Sequence, residues 1–177
     1  MPTLQNWLCN TCRVPYERVW VVGERTGILQ RLIGLYKFER AKSAHKVLGD
    51  LLLDVLPELP SDTIIIPIPT VPDHIRERGY DHMLLIARYI AKKRGLIHKQ
   101  LLIRVTNTKQ RQASAKKRDI QAMHAFALDG VIDVDKPYLL IDDVFTTGAT
   151  VKYASKLLHD AGVKHIWVAI IARQTLD

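Results

Sequence analysis

Two adjacent carboxylates, Asp142 and Asp143, follow the apolar run Tyr138-Leu139-Leu140-Ile141 and precede Val144-Phe145-Thr146-Thr147-Gly148-Ala149-Thr150. The apolar run reads as a strand buried on both faces. In an open α/β sheet, the C-terminal end of such a strand is where ligands bind. The small residues after it leave backbone N–H groups accessible as a helix opens. Free N–H groups and the macrodipole make a helix N-terminus attractive to phosphate. Thr146, Thr147 and Thr150 add hydroxyl donors. Two acids beside a phosphate cradle would repel the phosphate itself, so they fit ribose hydroxyls or a bound Mg²⁺ instead. An ordinary capped strand–turn–helix is the bland alternative. Asp-Asp followed by Thr-Thr-Gly-Ala-Thr is too particular for it.

The cations form a second set. The chain has a net charge of +8, with 26 Lys and Arg against 18 acids. Between His74 and Arg118 there are thirteen Lys/Arg and two acids, a net of +11; the remainder, thirteen against sixteen, nets −3. Such a block implies an anionic partner, with a solvated surface as the competing reading. Arg76, Arg78 and Gly79 follow the apolar run Ile64–Ile68 and Pro69. The arginines could pair with phosphate oxygens, and Gly79 would let the backbone approach; a surface turn is the alternative. Lys109, Gln110, Arg111, Lys116, Lys117 and Arg118 lie in a polar stretch, Thr106–Arg118, that lacks a core face. It reads as a mobile loop that could close as a lid over a phosphate-bearing ligand, against a basic solvated loop or a nucleic-acid contact. His74–Arg118 holds only Tyr80 and Tyr89 as aromatics, a poor stacking platform for single strands. His82 and His124 read as polar surface groups.

These residues need elements to hold them. At 177 residues the chain reads as one domain with a small appendage. Residues 1–25 are mixed and read as an arm. Thr26–Leu56 shows helical spacing of apolar residues and ends at Pro57 and Pro60. Ile64–Ile68 is a β-branched strand. Asp81–Lys93 is an amphipathic helix stopped by Gly95. Leu101–Val105 is another strand, Gly148–Ala161 a helix, and Ile166–Ala172 a strand. Alternation of strands and helices predicts an α/β fold with a largely parallel sheet. The longest apolar run, Ile166–Ala172, is far short of a membrane span. The first residues lack signal-peptide features, so a cytoplasmic protein is expected. Cys9-x-x-Cys12 has the spacing of half a zinc site, but a closed site needs four ligands and no other cysteine exists. Two ordinary thiols are therefore expected.

The run Tyr138–Thr150 resembles the phosphoribosyl pyrophosphate (PRPP) signature of the type I phosphoribosyltransferases, which are glycosyltransferases. The order of Tyr36-Lys37-Phe38, Ile66-Pro67-Ile68-Pro69, Arg76-x-Arg78-Gly79-Tyr80, Arg104, Gln110, Arg118 and Ala125-Phe126 is similar to the ComF-like (competence protein F, GntX-related) branch. The resemblance covers about Leu35 to Arg173. It implies the type I phosphoribosyltransferase fold over residues 26–177, with a hood from about 26–60 and 1–25 as the remnant of a zinc module. It implies that Asp142 and Asp143 hold the ribose 2′- and 3′-hydroxyls of PRPP, and that Thr146–Thr150 holds its 5′-phosphate. Mg²⁺ would arrive with PRPP, near these acids. Activity would be phosphoribosyl transfer to an unknown acceptor; a homodimer is the implied assembly. The alternative is a non-catalytic PRPP- or phosphate-binding adaptor in natural competence, beside single-stranded DNA or its helicase. Two departures stand out. The family's four-cysteine zinc module is reduced to Cys9 and Cys12, and its Arg-Gly-Phe-Asn-Gln is here Arg78-Gly79-Tyr80-Asp81-His82.

Overall fold

The structure, a computed structural model, describes residues 14–39, 41–105 and 125–174. Its elements run β1 (Arg18–Glu24), α1 (Gly27–Phe38), α2 (Ala44–Val55), β2 (Ile64–Pro67), α3 (Pro72–Arg78) and α4 (His82–Arg94). Then follow β3 (Ile97–His98), β4 (Leu102–Arg104), β5 (Phe126–Leu128), β6 (Tyr138–Phe145), α5 (Ala149–Asp160) and β7 (Ile166–Arg173). Five strands form one sheet in the order β1-β7-β6-β2-β3. Every neighbouring pair in it is parallel. The fold class expected from the sequence is thus the one observed, a parallel sheet flanked by helices.

The central strands are apolar on both sides because helices cover both faces. Odd-numbered residues of β6, Leu139 and Ile141, pack with Ile33 and Tyr36 of α1, Leu48 and Leu52 of α2, and Met83, Ile86 and Ile90 of α4. Even-numbered Tyr138 and Leu140 pack with Val151, Ala154 and Leu158 of α5 and with Leu102 and Phe126 of β4 and β5. The period of two along a strand therefore sorts β6 side chains between two separate cores. Residues 26–60, expected as a hood, supply α1 and α2, whose buried side chains belong to the first of these cores.

Two boundaries differ from the sequence reading. Of the stretch set apart as an arm, Arg18–Glu24 is the edge strand of the sheet, paired with β7 from Arg18↔Trp167 to Glu24↔Arg173. Its Val19-Trp20-Val21-Val22 run carried the β signal. Being half-buried at an edge and flanked by Arg18 and Glu24, it lacks the continuous apolar run that marks an inner strand here. Leu101–Val105 is not in the main sheet. Leu102–Arg104 pairs antiparallel with Phe126–Leu128 in a separate two-stranded ribbon. The main-sheet position beside β2 goes to Ile97–His98, two residues too short to show any period.

Local chemistry sets the ends that matter. Asp81 caps α4, accepting from the N–H groups of Met83 (3.0 Å) and Leu84 (3.2 Å). Gly95 ends that helix in the left-handed region. Arg94 closes the end of α2 by donating to the carbonyls of Leu53 (3.1 Å) and Leu56 (2.9 Å). Tyr36 and Tyr80 lock α1 to the α3–α4 corner. Their rings stack at 5.5 Å. Tyr36 Oη donates to the His82 carbonyl (2.6 Å), and Tyr80 Oη to the Tyr36 carbonyl (2.5 Å). Burial, followed by the neighbouring Tyr80 and Asp81, holds the Tyr36 hydroxyl far above its ordinary range, so it stays a donor.

Candidate functional site

A cleft of about 300 Å³ lies over the C-terminal ends of β2 and β6. It is built from four places in the chain: the end of α1 (Lys37, Phe38), the loop after β2 (Ile68–Val71), the α3–α4 corner (His74, Arg78, His82), and the end of β6 with the start of α5 (Asp142, Asp143, Val144, Thr150). Arg104 of β4 completes it.

The adjacent acids enter this cleft from opposite faces of the sheet. Asp143 continues the Leu139–Ile141 side and is 8 % exposed. There Lys37 Nζ lies 2.6 Å, and His82 Nε2 2.5 Å, from its Oδ2. Burial alone would push the Asp143 carboxyl up. The His82 hydrogen bond and the Lys37 charge outweigh that and hold it well below the usual carboxylate range. Asp142 continues the Tyr138–Leu140 side. Its Oδ1 accepts from the backbone N–H of Asp143 (2.9 Å). Burial, and then the charge of Asp143, raise its carboxyl to about 8; the same N–H, Lys37 and Arg104 pull weakly the other way. Arg104 is held over the Phe126 ring, 5.0 Å from its centroid, and donates through Nε to the Pro69 carbonyl (3.2 Å). Burial lowers its pKa and Asp142 opposes the fall.

The loop after β6 turns sharply. Gly148 has φ +75°, and a Cβ there would stand 2.4 Å from the Phe145 ring, so this position requires glycine. Thr147 Oγ1 accepts from the Ala149 N–H at 3.4 Å. The first-turn N–H groups of α5 have no acceptor within the helix by position, and Thr150 on that turn lines the cleft. Thr146 and Thr147 are exposed on the same loop. A phosphate fits this end, and two hydroxyls fit the acids.

Of the other sequence-predicted residues, Pro69 and Arg78 line the cleft. Arg78 is 8 % exposed. Its Nη1 lies 3.1 Å from His82 Nδ1 and its guanidinium sits 5.7 Å from the Phe38 ring centroid. Arg76 does not line the cleft; it is exposed and ion-paired with Asp73 one turn back. Gly79, at φ +82°, ends α3 as its left-handed cap. Lys109, Gln110, Arg111, Arg118, Cys9, Cys12 and His124 lie outside the described residues. The expectation that His82 is a surface group is corrected: it is 5 % exposed and bonded to Asp143. It sits on the core-facing first turn of α4, whose cap residue Asp81 fixes that register. Lys37, His82 and Arg104, quoted among the family-like pieces but given no site role there, complete the site together with Thr70, which no motif announced. Each is a single polar residue on an otherwise ordinary element.

Among the described residues, no group of three or more His, Cys, Asp or Glu is placed to hold a metal. Asp142 and Asp143 point to opposite faces and do not form a chelating pair. No helix among the described residues is long and apolar enough to cross a membrane.

The basic block also divides in space. Arg78 and Arg104 go to the cleft, Arg94 to the end of α2, and Arg88, Lys92 and Lys93 to a separate α2–α4 groove with His45, Lys46, Leu85 and Tyr89.

No family model matches the sequence. Competence protein F of Haemophilus influenzae is 30% identical over 181 residues, spanning 93% of this chain and 78% of that protein. The chain belongs to the competence protein F family. Competence protein ComFC of Streptococcus pneumoniae is 29% identical over 133 residues, 74% of this chain; the chain spans 57% of that relative's length. The DNA utilization protein YhgH of Salmonella typhi is 28% identical over 97% of this chain and 79% of its own length. Among solved structures, a glutamine PRPP amidotransferase from B. subtilis aligns at TM-score 0.49 and 23% identity, over 72% of this chain and 26% of that one. A hypoxanthine phosphoribosyltransferase from Staphylococcus aureus aligns at TM-score 0.44 and 14% identity, over 78% and 74%. For this member of the competence protein F family, the site rests on its own geometry.

Proposed function

We propose that the cleft binds PRPP with Mg²⁺ and that the protein transfers the phosphoribosyl group to a nucleophilic acceptor, releasing pyrophosphate. One observation carries the reading: a single cleft brings two carboxylates from opposite sheet faces together with the start of α5 and the cations Lys37, Arg78 and Arg104. The 5′-phosphate belongs at the N-terminus of α5, on its N–H groups and Thr150. The ribose hydroxyls belong on Asp142 and Asp143. Pyrophosphate belongs beside Pro69–Val71 and Arg78. Mg²⁺ held by the ligand's oxygens supplies charge neutralisation for the leaving group. As the C1–oxygen bond to pyrophosphate breaks, the ribose gains oxocarbenium character, as in glycoside hydrolysis. In this reading the two acids face the developing positive charge, and Arg78 faces the negative charge that accumulates on the leaving group. Positioning and electrostatics carry such a reaction; a protein nucleophile is not required.

Thermal unfolding tests this. Ligand that binds only the folded state raises Tm by mass action. PRPP with Mg²⁺ should raise Tm in a dose-dependent way, more than ribose 5-phosphate or pyrophosphate alone, and an acceptor screen would then follow pyrophosphate release. No shift at millimolar PRPP contradicts the reading.

A second reading rests on the α2–α4 groove. Its cations Lys46, Arg88, Lys92 and Lys93 flank Leu85 and Tyr89 in a volume of about 670 Å³. A relative's name includes DNA utilization, and such a groove suits the phosphate backbone of a single strand more than its bases. Binding there should fall steeply with salt and persist when the cleft acids are replaced. Salt-insensitive binding, or its loss with those acids, would remove this reading.

A further inference from the structure

His82 makes two contacts that demand opposite roles of its ring nitrogens. Arg78 Nη1 stands 3.1 Å from Nδ1, and a guanidinium can only donate. Nδ1 must then carry a lone pair, so the ring proton sits on Nε2. That nitrogen is 2.5 Å from Asp143 Oδ2 and donates to it. The Thr70 hydroxyl lies 3.0 Å from Nδ1 and 2.9 Å from Asp81 Oδ1, and its single proton serves one of these two acceptors at a time. Arg78, a donor without choice, thereby orders the protons along one line: Arg78 to His82, and His82 to Asp143. Lys37 and His82 both use Oδ2 of Asp143, which leaves Oδ1 for a hydroxyl in the cleft.

From this we infer that His82 is a positioning residue, a relay through which Arg78 fixes the orientation of Asp143. Resting on the proposed function, it links the pyrophosphate end of the cleft to the ribose end. Arg78 touches the leaving group, Asp143 touches the ribose, and His82 touches neither but holds each in register with the other. A ligand that draws Arg78 off Nδ1 loosens the tautomer and with it the carboxylate. One that leaves Arg78 in place keeps Asp143 set for the diol.

Two variants separate positioning from packing. In His82→Gln the amide oxygen can accept from Arg78 while its NH₂ donates to Asp143. His82→Leu fills similar space and does neither. By calorimetry with PRPP and Mg²⁺, His82→Leu should weaken binding about tenfold, the scale of a lost charge-assisted hydrogen bond. His82→Gln should restore it to within about threefold of wild type. Circular dichroism melts verify that both variants fold. The relay also has a ligand-free readout. ¹⁵N NMR of the imidazole should show a protonated Nε2 and a bare Nδ1 in the wild type, and a tautomer mixture in Arg78→Met. Equal losses in Leu and Gln variants, wild-type binding by His82→Leu, or a protonated Nδ1 would each overturn the relay. If the wild type binds no PRPP, the proposed function falls; the NMR result still decides whether the relay exists.

Discussion

On the α1–α2–α4 side of the sheet, Asp143 meets the ammonium of Lys37 and the imidazole of His82, both on one carboxylate oxygen. On the α5 side, Asp142 meets a backbone N–H and the more remote charge of Arg104. The two residues are chemically identical and adjacent. One is held ionised far below the ordinary range, and the other is pushed up to about 8. The difference comes from the strand's period of two, which sends them to separate cores with different neighbours. Asp143 is set by partners already in place, whereas near neutral pH Asp142 gains charge when something new supplies positive charge or hydroxyl donors.

The strongest way to break this comparison is Asp143→Ala. It strips the anion from between Lys37, whose side chain is 20% exposed, and His82. Urea unfolding near pH 7 should show a loss of about 3 kcal/mol, the scale of a broken buried pair. The pH dependence has a definite sign. A carboxyl depressed in the folded state contributes stability above its unfolded pKa, and that stability fades as pH falls through the folded value. The part of the gap due to the Asp143 carboxylate should therefore close as pH falls into strong acid.

Gly148→Ala comes next. The left-handed backbone and the Phe145 ring both oppose a Cβ there. A loss of about 2 kcal/mol in thermal or urea unfolding is expected, with weaker PRPP binding because the phosphate loop shifts.

Asp142→Asn sharpens the comparison by reversing its sign. A carboxyl raised in the folded state destabilises increasingly as pH climbs from about 4 toward the folded value. Asparagine removes that penalty. The unliganded variant should match the wild type below about pH 4 and exceed it by about 1 kcal/mol or more above pH 8, measured by urea unfolding across pH. It should nevertheless lose PRPP affinity. Greater stability with less binding is the pattern expected of a functional residue.

Much of this was legible in the sequence for physical reasons. The parallel sheet showed in Ile64–Ile68, Tyr138–Ile141 and Ile166–Ala172, because strands covered on both faces must be apolar throughout. The Asp-Asp-to-Thr loop showed because its acids and small residues are next to one another in the chain. The rest of the site was not legible locally. Lys37, His82 and Arg104 stood in the family-like pieces, but no spacing tied them to the acids; with Thr70 they converge from separate elements. His82 reads as a surface group until the Asp81 cap sets the phase of α4 and turns it inward. Strand β1 was hidden because an edge strand need not be fully apolar.

The smallest expected effect is Arg76→Ala. Arg76 and Arg78 look equivalent in Arg76-x-Arg78, yet one is exposed and paired with Asp73 while the other is buried in the cleft. Arg76→Ala should change stability by about 0.5 kcal/mol or less and leave PRPP binding unchanged by calorimetry.

The most direct test of the central claim is a calorimetric titration with PRPP and Mg²⁺, wild type beside Asp142→Asn/Asp143→Asn. The account predicts saturable one-site binding in the wild type and none in a variant that still melts cooperatively. Equal binding by both proteins, or no wild-type binding at millimolar PRPP, would contradict it.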